Sequence, residues 1–193
     1  MITTEQIKEL RDITGVSVME CKKALEEAQG DKEKAIIILR KKSKAVADKK
    51  ATRELKSGTV AAYIHNTGMV GVLVELACET DFVARNEEFK RLAYDIAMHV
   101  AALNPEYLKK EDIPEAAKAK ATEVFSEEVS GKPKEIQEKI LSGKLDAYFN
   151  ERVLLAQAFI KNPEVTIQNL IEEAVQKFGE KTEVVRFTRF SID

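Results

Sequence analysis

Thr80-Asp81-Phe82-Val83, continued by Ala84-Arg85-Asn86, sets a carboxylate beside a large aromatic ring. The pair falls where a strand-like run ending near Cys78 gives way to a strongly periodic helix that is under way by Phe89. In so short a connection the ring has two uses. It can plug the chain's own core, or it can be held outward on a rigid scaffold, and connecting segments carry function more often than the elements they join. Taken alone, Phe82 reads as a plug, because most large aromatics are mostly buried. Asp81 shares the strand parity of Glu75 and Glu79, so it is expected to face water.

Parts for covalent chemistry are not gathered elsewhere. His65, His99, Cys21 and Cys78 are widely separated, with no pair at zinc-ligand spacing, and no glycine-rich loop that could hold phosphates precedes a helix. Acidic residues are plentiful, but 33% of the chain is charged, so paired carboxylates arise by chance. The expectation is a binding protein that is not an enzyme and needs no metal or cofactor. With 31 basic and 33 acidic residues the formal charge is -2, and no global field draws the chain to nucleic acid or an anionic membrane. There is no leader-like N-terminus and no apolar run of about 18 residues, which predicts a soluble, cytoplasmic protein. Both cysteines fall on apolar faces, where a free thiol acts as a small hydrophobe, and no disulfide framework is expected.

The elements that must position the Asp-Phe pair follow from periodicity. Residues 1 to 40 read as three short helices, with capping boxes at Thr3/Gln6 and Ser17/Glu20, a stop at Gly15, a second stop at Gly30 and a cap at Asp31. Cys21, Ala24, Leu25 and Ala28 form the stripe of the second helix, and Met19 lies roughly opposite it. Residues 40 to 56 carry eight Lys or Arg against Asp48 and Glu54 with no aromatic, and read as a solvated helical linker. A ribosomal-RNA adaptor is the rival reading of that run, although single-strand binders interleave aromatics with charge. The boundary is set at Ser57-Gly58, giving an N-terminal domain of residues 1–56 and a core domain of residues 57–193.

That core is expected to open with a hairpin. Val60, Ala62 and Ile64 alternate before the turn Asn66-Thr67-Gly68, and Val70 to Cys78 alternate after it, which puts one face in a core. Asn86 caps a helix with the stripe Phe89, Leu92, Ala93, Ile96, Ala97 and Val100; Tyr94 and Met98 lie far round from it, so this helix is sandwiched or contributes to an interface. His99, with no second ligand at helical spacing, defaults to a satisfied structural residue. Residues 114 to 149 read as an antiparallel helical hairpin that reverses at Ser130-Gly131-Lys132-Pro133. A strand over Val153 to Ile160, a helix through Phe178, and a last strand with Val185 and Phe187 on one side complete an α+β fold.

Several of these stretches resemble one family. TDFVARN at residues 80–86 is similar to the signature of translation elongation factor Ts, which ejects GDP from elongation factor Tu. Leu10-Arg11, Thr14-Gly15 and Met19 to Leu25 resemble the family's N-terminal module, Ile96 to Ala102 with Pro105-Glu106 a segment that reaches the partner's third domain, and SGKPKEI the tip of its helical arm. The resemblance implies an N-terminal three-helix ubiquitin-associated-like domain that docks through Arg11, Val18 and Met19. Where some relatives have a second methionine, this chain has Val18, a smaller contact. It further implies a core with an antiparallel sheet and a protruding helical hairpin, and a guanine-nucleotide exchange role in which Thr80, Asp81, Phe82 and Val83 disturb the partner's Mg-phosphate site. His99 is a further candidate contact. Gln157-Ala158-Phe159 stands where the family usually has Gln-Pro-Phe. Longer members carry two related core subdomains, with the TDFV-like and MHVAA-like stretches in different copies. Here one copy holds both, which implies a homodimer.

Overall fold

The computed structural model describes residues 2–129 and 133–192. It opens with α1 (Thr4–Thr14), α2 (Val18–Glu27) and α3 (Lys32–Lys50). Their starts are capped by side chains: the Thr3 hydroxyl accepts from Gln6 N while Gln6 accepts from Thr3 N, Ser17 accepts from Glu20 N, and Asp31 from Lys34 N. Leu10, Val16, Cys21, Ala24, Leu25, Ala35 and Leu39 fill one small core. Sequence and structure part at α3. The basic stretch is helical and largely solvated as expected, but it continues the third helix as a single 19-residue helix that stops at Lys50, short of the expected end at Ser57.

The larger part begins with β1 (Ser57–Ile64) and β2 (Val70–Cys78), then a short helix α4 (Asp81–Ala84) and the long α5 (Glu87–Leu103). Helices α6 (Glu115–Val129) and α7 (Lys134–Asn150) pack antiparallel to each other as the hairpin. Most of the expected reversal, residues 130–132, lies outside the described residues. The run expected as one strand from Val153 is instead a 3-10 turn, Leu154–Ala156, followed by a two-residue strand β3 (Ala158–Phe159) that pairs with β4 (Asn162–Thr166). The Val153 and Leu154 side chains are both buried, so this run turns to fill two neighbouring cores instead of alternating. Helix α8 (Ile167–Phe178) and strand β5 (Thr182–Ser191) close the chain.

The main sheet is antiparallel in the order β1-β2-β5. Val72, Val74, Leu76 and Cys78 of β2 are buried under α5, whose Phe89, Ala93, Ile96, Ala97 and Val100 meet them in one core. Two parity expectations are reversed here. On β1 the inward side chains are Ala61 and Tyr63, paired with Val74 and Val72, while Val60, Ala62 and Ile64 face outward with Leu73. On β5 a bulge opposite Glu75/Leu76 inserts Val185, so Val184 and Phe187 pack inward and Val185 turns out. A bulge shifts every later side chain by one position, and alternation alone does not reveal it. The outer face therefore shows Val60, Ile64, Leu73, Phe190 and Ile192. Gly58 is required where β1 begins, because a Cβ there would stand 2.5 Å from the Leu76 carbonyl oxygen.

The two parts meet along α3 and α8. Ser43 is buried in this seam and donates its hydroxyl to Gln176, and Lys50 Nζ donates to the Gly179 carbonyl at 2.6 Å. Burial pushes the Glu173 carboxyl up to about 7, opposed by the nearby Arg40 charge and reinforced by Glu172. Among the described residues no helix is long and apolar enough to cross a membrane.

Because the folded Glu173 value lies above the ordinary 4.5, its contribution to stability is full below that pH and is lost as pH rises through about 7. Glu173→Gln should therefore gain stability on the parent protein between about pH 5 and about pH 8 in urea titrations. A difference that is flat over this window would show that the carboxyl is not held protonated.

Candidate functional site

Thr80, two residues past the end of β2, leads into the exposed pair. Its backbone is extended (φ -126°, ψ 158°), and its hydroxyl accepts from Val83 N, capping the single turn of α4. The carbonyl of Thr80 receives Ala84 N at 3.2 Å and the Cys78 thiol at 3.2 Å. Burial pushes the Cys78 thiol pKa up, so it stays a donor. Val83 and Ala84 are 4% and 7% exposed and belong to the core under β2. At about 100° per residue, Phe82 then lies about 150° from the midpoint of that buried pair. Its ring is 80% exposed, the largest exposure of any large hydrophobic side chain among the described residues. The plug reading of Phe82 is overturned: Val83 is the plug, and Phe82 is what the plug holds out.

Asp81 faces water, as its parity predicts, and pairs with Arg85 one turn on at 3.0 Å. Both side chains are mostly exposed, so this pair is a weak restraint and leaves the carboxylate available. Arg85, Asn86 and α5 follow without a gap, with the Asn86 side chain accepting from Glu88 N at 2.8 Å.

Arg11, Val18 and Met19 lie on either side of the left-handed Gly15, which turns α1 into α2. All are exposed, Met19 by 62%, away from the stripe that fills the small core. The turn is linked through α8 to the start of α5. A Cβ on Gly15 would be 3.6 Å from Lys177 Nζ, and Lys177 pairs at 2.7 Å with Glu88 at the start of α5.

His99 is different. It is fully buried, its Nδ1 accepts from Ile160 N at 3.2 Å, and its Nε2 therefore carries the proton toward Gln157 Oε1 at 2.9 Å. Burial lowers its pKa and keeps the ring neutral. The structural default expected for a lone histidine is what the fold uses, and the ring has no free surface with which to touch a partner directly.

Sequence reasoning missed Glu180. Its carboxylate, in the turn between α8 and β5, accepts from Glu79 N at 3.1 Å, Thr80 N at 2.9 Å and Thr80 Oγ1 at 2.6 Å. Glu79 in turn accepts from Lys181 N at 2.5 Å and from Arg53, which lies between α3 and β1. The Lys181 amide is the main cause that holds the Glu79 carboxyl below its ordinary value, with Arg53 adding to it. No local pattern joins residues about 100 positions apart, so nothing in the sequence pointed to this pair.

Fold and surface together define a two-part α+β protein in which one exposed aromatic ring is raised on a capped, anchored turn. Comparison with known proteins makes this specific. The family model described as Elongation factor TS matches residues 4–193. The Elongation factor Ts of Thermodesulfovibrio yellowstonii is 54% identical over 192 residues, covering 99% of this chain and 96% of that protein. Those of Carboxydothermus hydrogenoformans and Thermosipho melanesiensis are each 50% identical over 194 residues, covering all of this chain and 89% and 99% of theirs. The chain belongs to the elongation factor Ts family.

Since the Phe82 ring packs on little, Phe82→Ala should lower the unfolding free energy from urea titration by far less than the ~3–5 kcal/mol typical of a buried phenylalanine. Val83→Asp, one residue on, should unfold the turn or the domain. A large loss of stability on Phe82→Ala would return the ring to the core.

Proposed function

We propose that this protein is a guanine-nucleotide exchange factor for translation elongation factor Tu, acting in the cytoplasm by contact alone. The observation that carries this reading is the outward Phe82 ring, fixed by its buried neighbours Val83 and Ala84. Family membership supports the identity of the partner. A GTPase holds its nucleotide through a phosphate loop and a Mg²⁺ that bridges phosphate oxygens to the protein, so disturbing one contact loosens the other. Phe82 enters between elements of the partner's nucleotide domain while Asp81 perturbs the network around the Mg²⁺; Thr80 and Val83 hold the two in place.

The exchange step needs only differential affinity. If the factor binds the nucleotide-free partner more tightly than the GDP form, it must weaken GDP by the same factor, and GTP in excess then displaces it. The three N-terminal helices act as a ubiquitin-associated-like docking module through Arg11, Val18 and Met19. His99 contributes indirectly, by bracing Gln157 and Ile160. The reading requires no metal or cofactor in this chain, and no direct contact with nucleic acid or membrane.

Release of a fluorescent GDP analogue from elongation factor Tu, chased with unlabelled GDP, should accelerate and saturate as the protein is added. A buried aromatic anchor is worth about 2 kcal/mol or more, so Phe82→Ala should slow the accelerated rate by about 30-fold. Acceleration that survives this change would remove Phe82 from the mechanism, and no acceleration by folded protein would overturn the function.

A homodimer completes the reading. One core copy offers each contact stretch once, and a two-fold pair offers each twice. The outer sheet face, with Val60, Ile64, Leu73, Phe190 and Ile192 exposed together, supports a second copy as its occupant. Two central charges on that face, Glu75 and Arg186, already pair within the chain at 2.6 Å, and Glu183 near its end pairs with Lys181, which leaves the apolar side chains to self-complement. Sedimentation equilibrium at micromolar concentration should give twice the chain mass, and Leu73→Glu with Phe190→Glu should give the chain mass. A parent protein that sediments as one chain would exclude the dimer.

A further inference from the structure

Phe82 is held out by a turn, and the turn is held by a residue far away in sequence. A single capped turn of four residues has little stability of its own, because nucleating a helix fixes several dihedral angles for each hydrogen bond gained. Its inner side is secured by Val83 and Ala84. Its entry is secured by Glu180, which takes hydrogen bonds from two successive backbone amides, Glu79 N and Thr80 N, on one oxygen and from the Thr80 hydroxyl on the other. Thr80 must donate to Glu180 in order to point its lone pairs at Val83 N, so the carboxylate orients the cap as well as the backbone. Hydrogen bonds to an ionised acceptor are among the stronger ones.

The brace is reciprocal. Glu79 reaches back to Lys181 N, the residue after Glu180, so two neighbouring carboxylates each grip the other segment's backbone. Arg53 ties the same Glu79 to the connection that leaves α3. The turn that carries Phe82 is therefore fixed to three separate parts of the chain: the core beneath it, the α8–β5 turn, and the segment that leads out of the N-terminal module.

We infer that Glu180 is a positioning residue for nucleotide exchange, acting through Thr80 to fix the direction of Phe82. The inference rests on the reading of Phe82 as the exchange element. Glu180 touches neither partner nor nucleotide in this role. Its loss should lower the maximal rate of GDP release, where the ring's placement matters, and leave the half-saturating concentration, set largely by the N-terminal module, nearly unchanged.

The test measures release of the fluorescent GDP analogue at a series of factor concentrations for the parent, Glu180→Gln, Glu180→Ala, Phe82→Ala and the double variant Glu180→Ala/Phe82→Ala. Misplacement by about 1 Å can cost up to about 100-fold in rate, so a drop of about tenfold in the maximum is expected for Glu180→Ala. Glu180→Gln keeps one acceptor oxygen for the two amides and should recover part of it. In the Phe82→Ala background Glu180→Ala should have almost no further effect, the non-additivity expected of residues that act as a unit. Additive losses, or a raised half-saturation at unchanged maximum, would overturn the inference. Amide hydrogen exchange on the factor alone decides the brace separately: Glu180→Ala should speed exchange at Glu79, Thr80 and Val83. Unchanged exchange there overturns the inference even if the parent protein is an active exchange factor. Faster exchange with a parent that releases no GDP supports the brace and overturns the functional reading instead.

Discussion

The packing of α5 across the inner face of β2 is the contact on which the rest of the molecule depends. Strand and helix are consecutive except for residues 79–86, so the core they form also dictates what that connection can do. Val83 and Ala84 fit beneath the helix start, beside Cys78 and Phe89, and the geometry of one helical turn then turns Phe82 to solvent. An exposed phenylalanine is ordinarily a cost in solubility with no return in stability. Here the ring stands beside Thr80, Val83 and Ala84, which are held by hydrogen bonds and by the core.

The polar contacts divide the work differently from the apolar ones. Cores lock α5 onto β2 and the first three helices onto one another, but segments far apart in sequence are joined by carboxylates and backbone amides. Glu180 with Glu79 is one such join; the α3–α8 seam is joined instead by the Ser43 hydroxyl on the Gln176 side chain and the Lys50 ammonium on the Gly179 carbonyl. Directional contacts of this kind set orientation where apolar packing would tolerate sliding.

Much of this was legible in the sequence, for physical reasons that can be named. Capping side chains at Thr3, Ser17, Asp31 and Asn86 and the stop at Gly15 act within a few residues, and each is found where its chemistry predicts, although at Ser17 only the hydroxyl half of the expected capping box forms, Glu20 pairing with Lys23 instead. The stripe of α5 and the alternation of β2 were readable because one face of each meets a core. What failed was information that is not local. The direction of Phe82 depends on which of two adjacent apolar residues the core accepts. The parity of β1 was misread because Val60, Ala62 and Ile64 are the more apolar set yet face outward, while Ala61 and Tyr63 suffice inside. The bulge at Val185 inverted one end of β5 in the same way, and the fate of Val153 to Ile160 depended on burial by residues far off in the chain. Within the site, Thr80 to Val83 and Met19 were visible as a pattern, and Glu180 was not.

The unbroken helix α3 has a consequence for how such a chain can vary in length. Its first turns belong to the small N-terminal core and its later turns to the seam with α8, so it is a splint about 28 Å long. A splint transmits phase. Adding or deleting one residue between Leu39 and Ser43 would rotate everything on one side by about 100° and shift it by about 1.5 Å. No flexible spacer is present there to absorb the change. Insertions in this stretch should therefore be tolerated only near whole multiples of the helical repeat, whereas the turn at Asn66-Thr67-Gly68 imposes no such arithmetic on the sheet it connects.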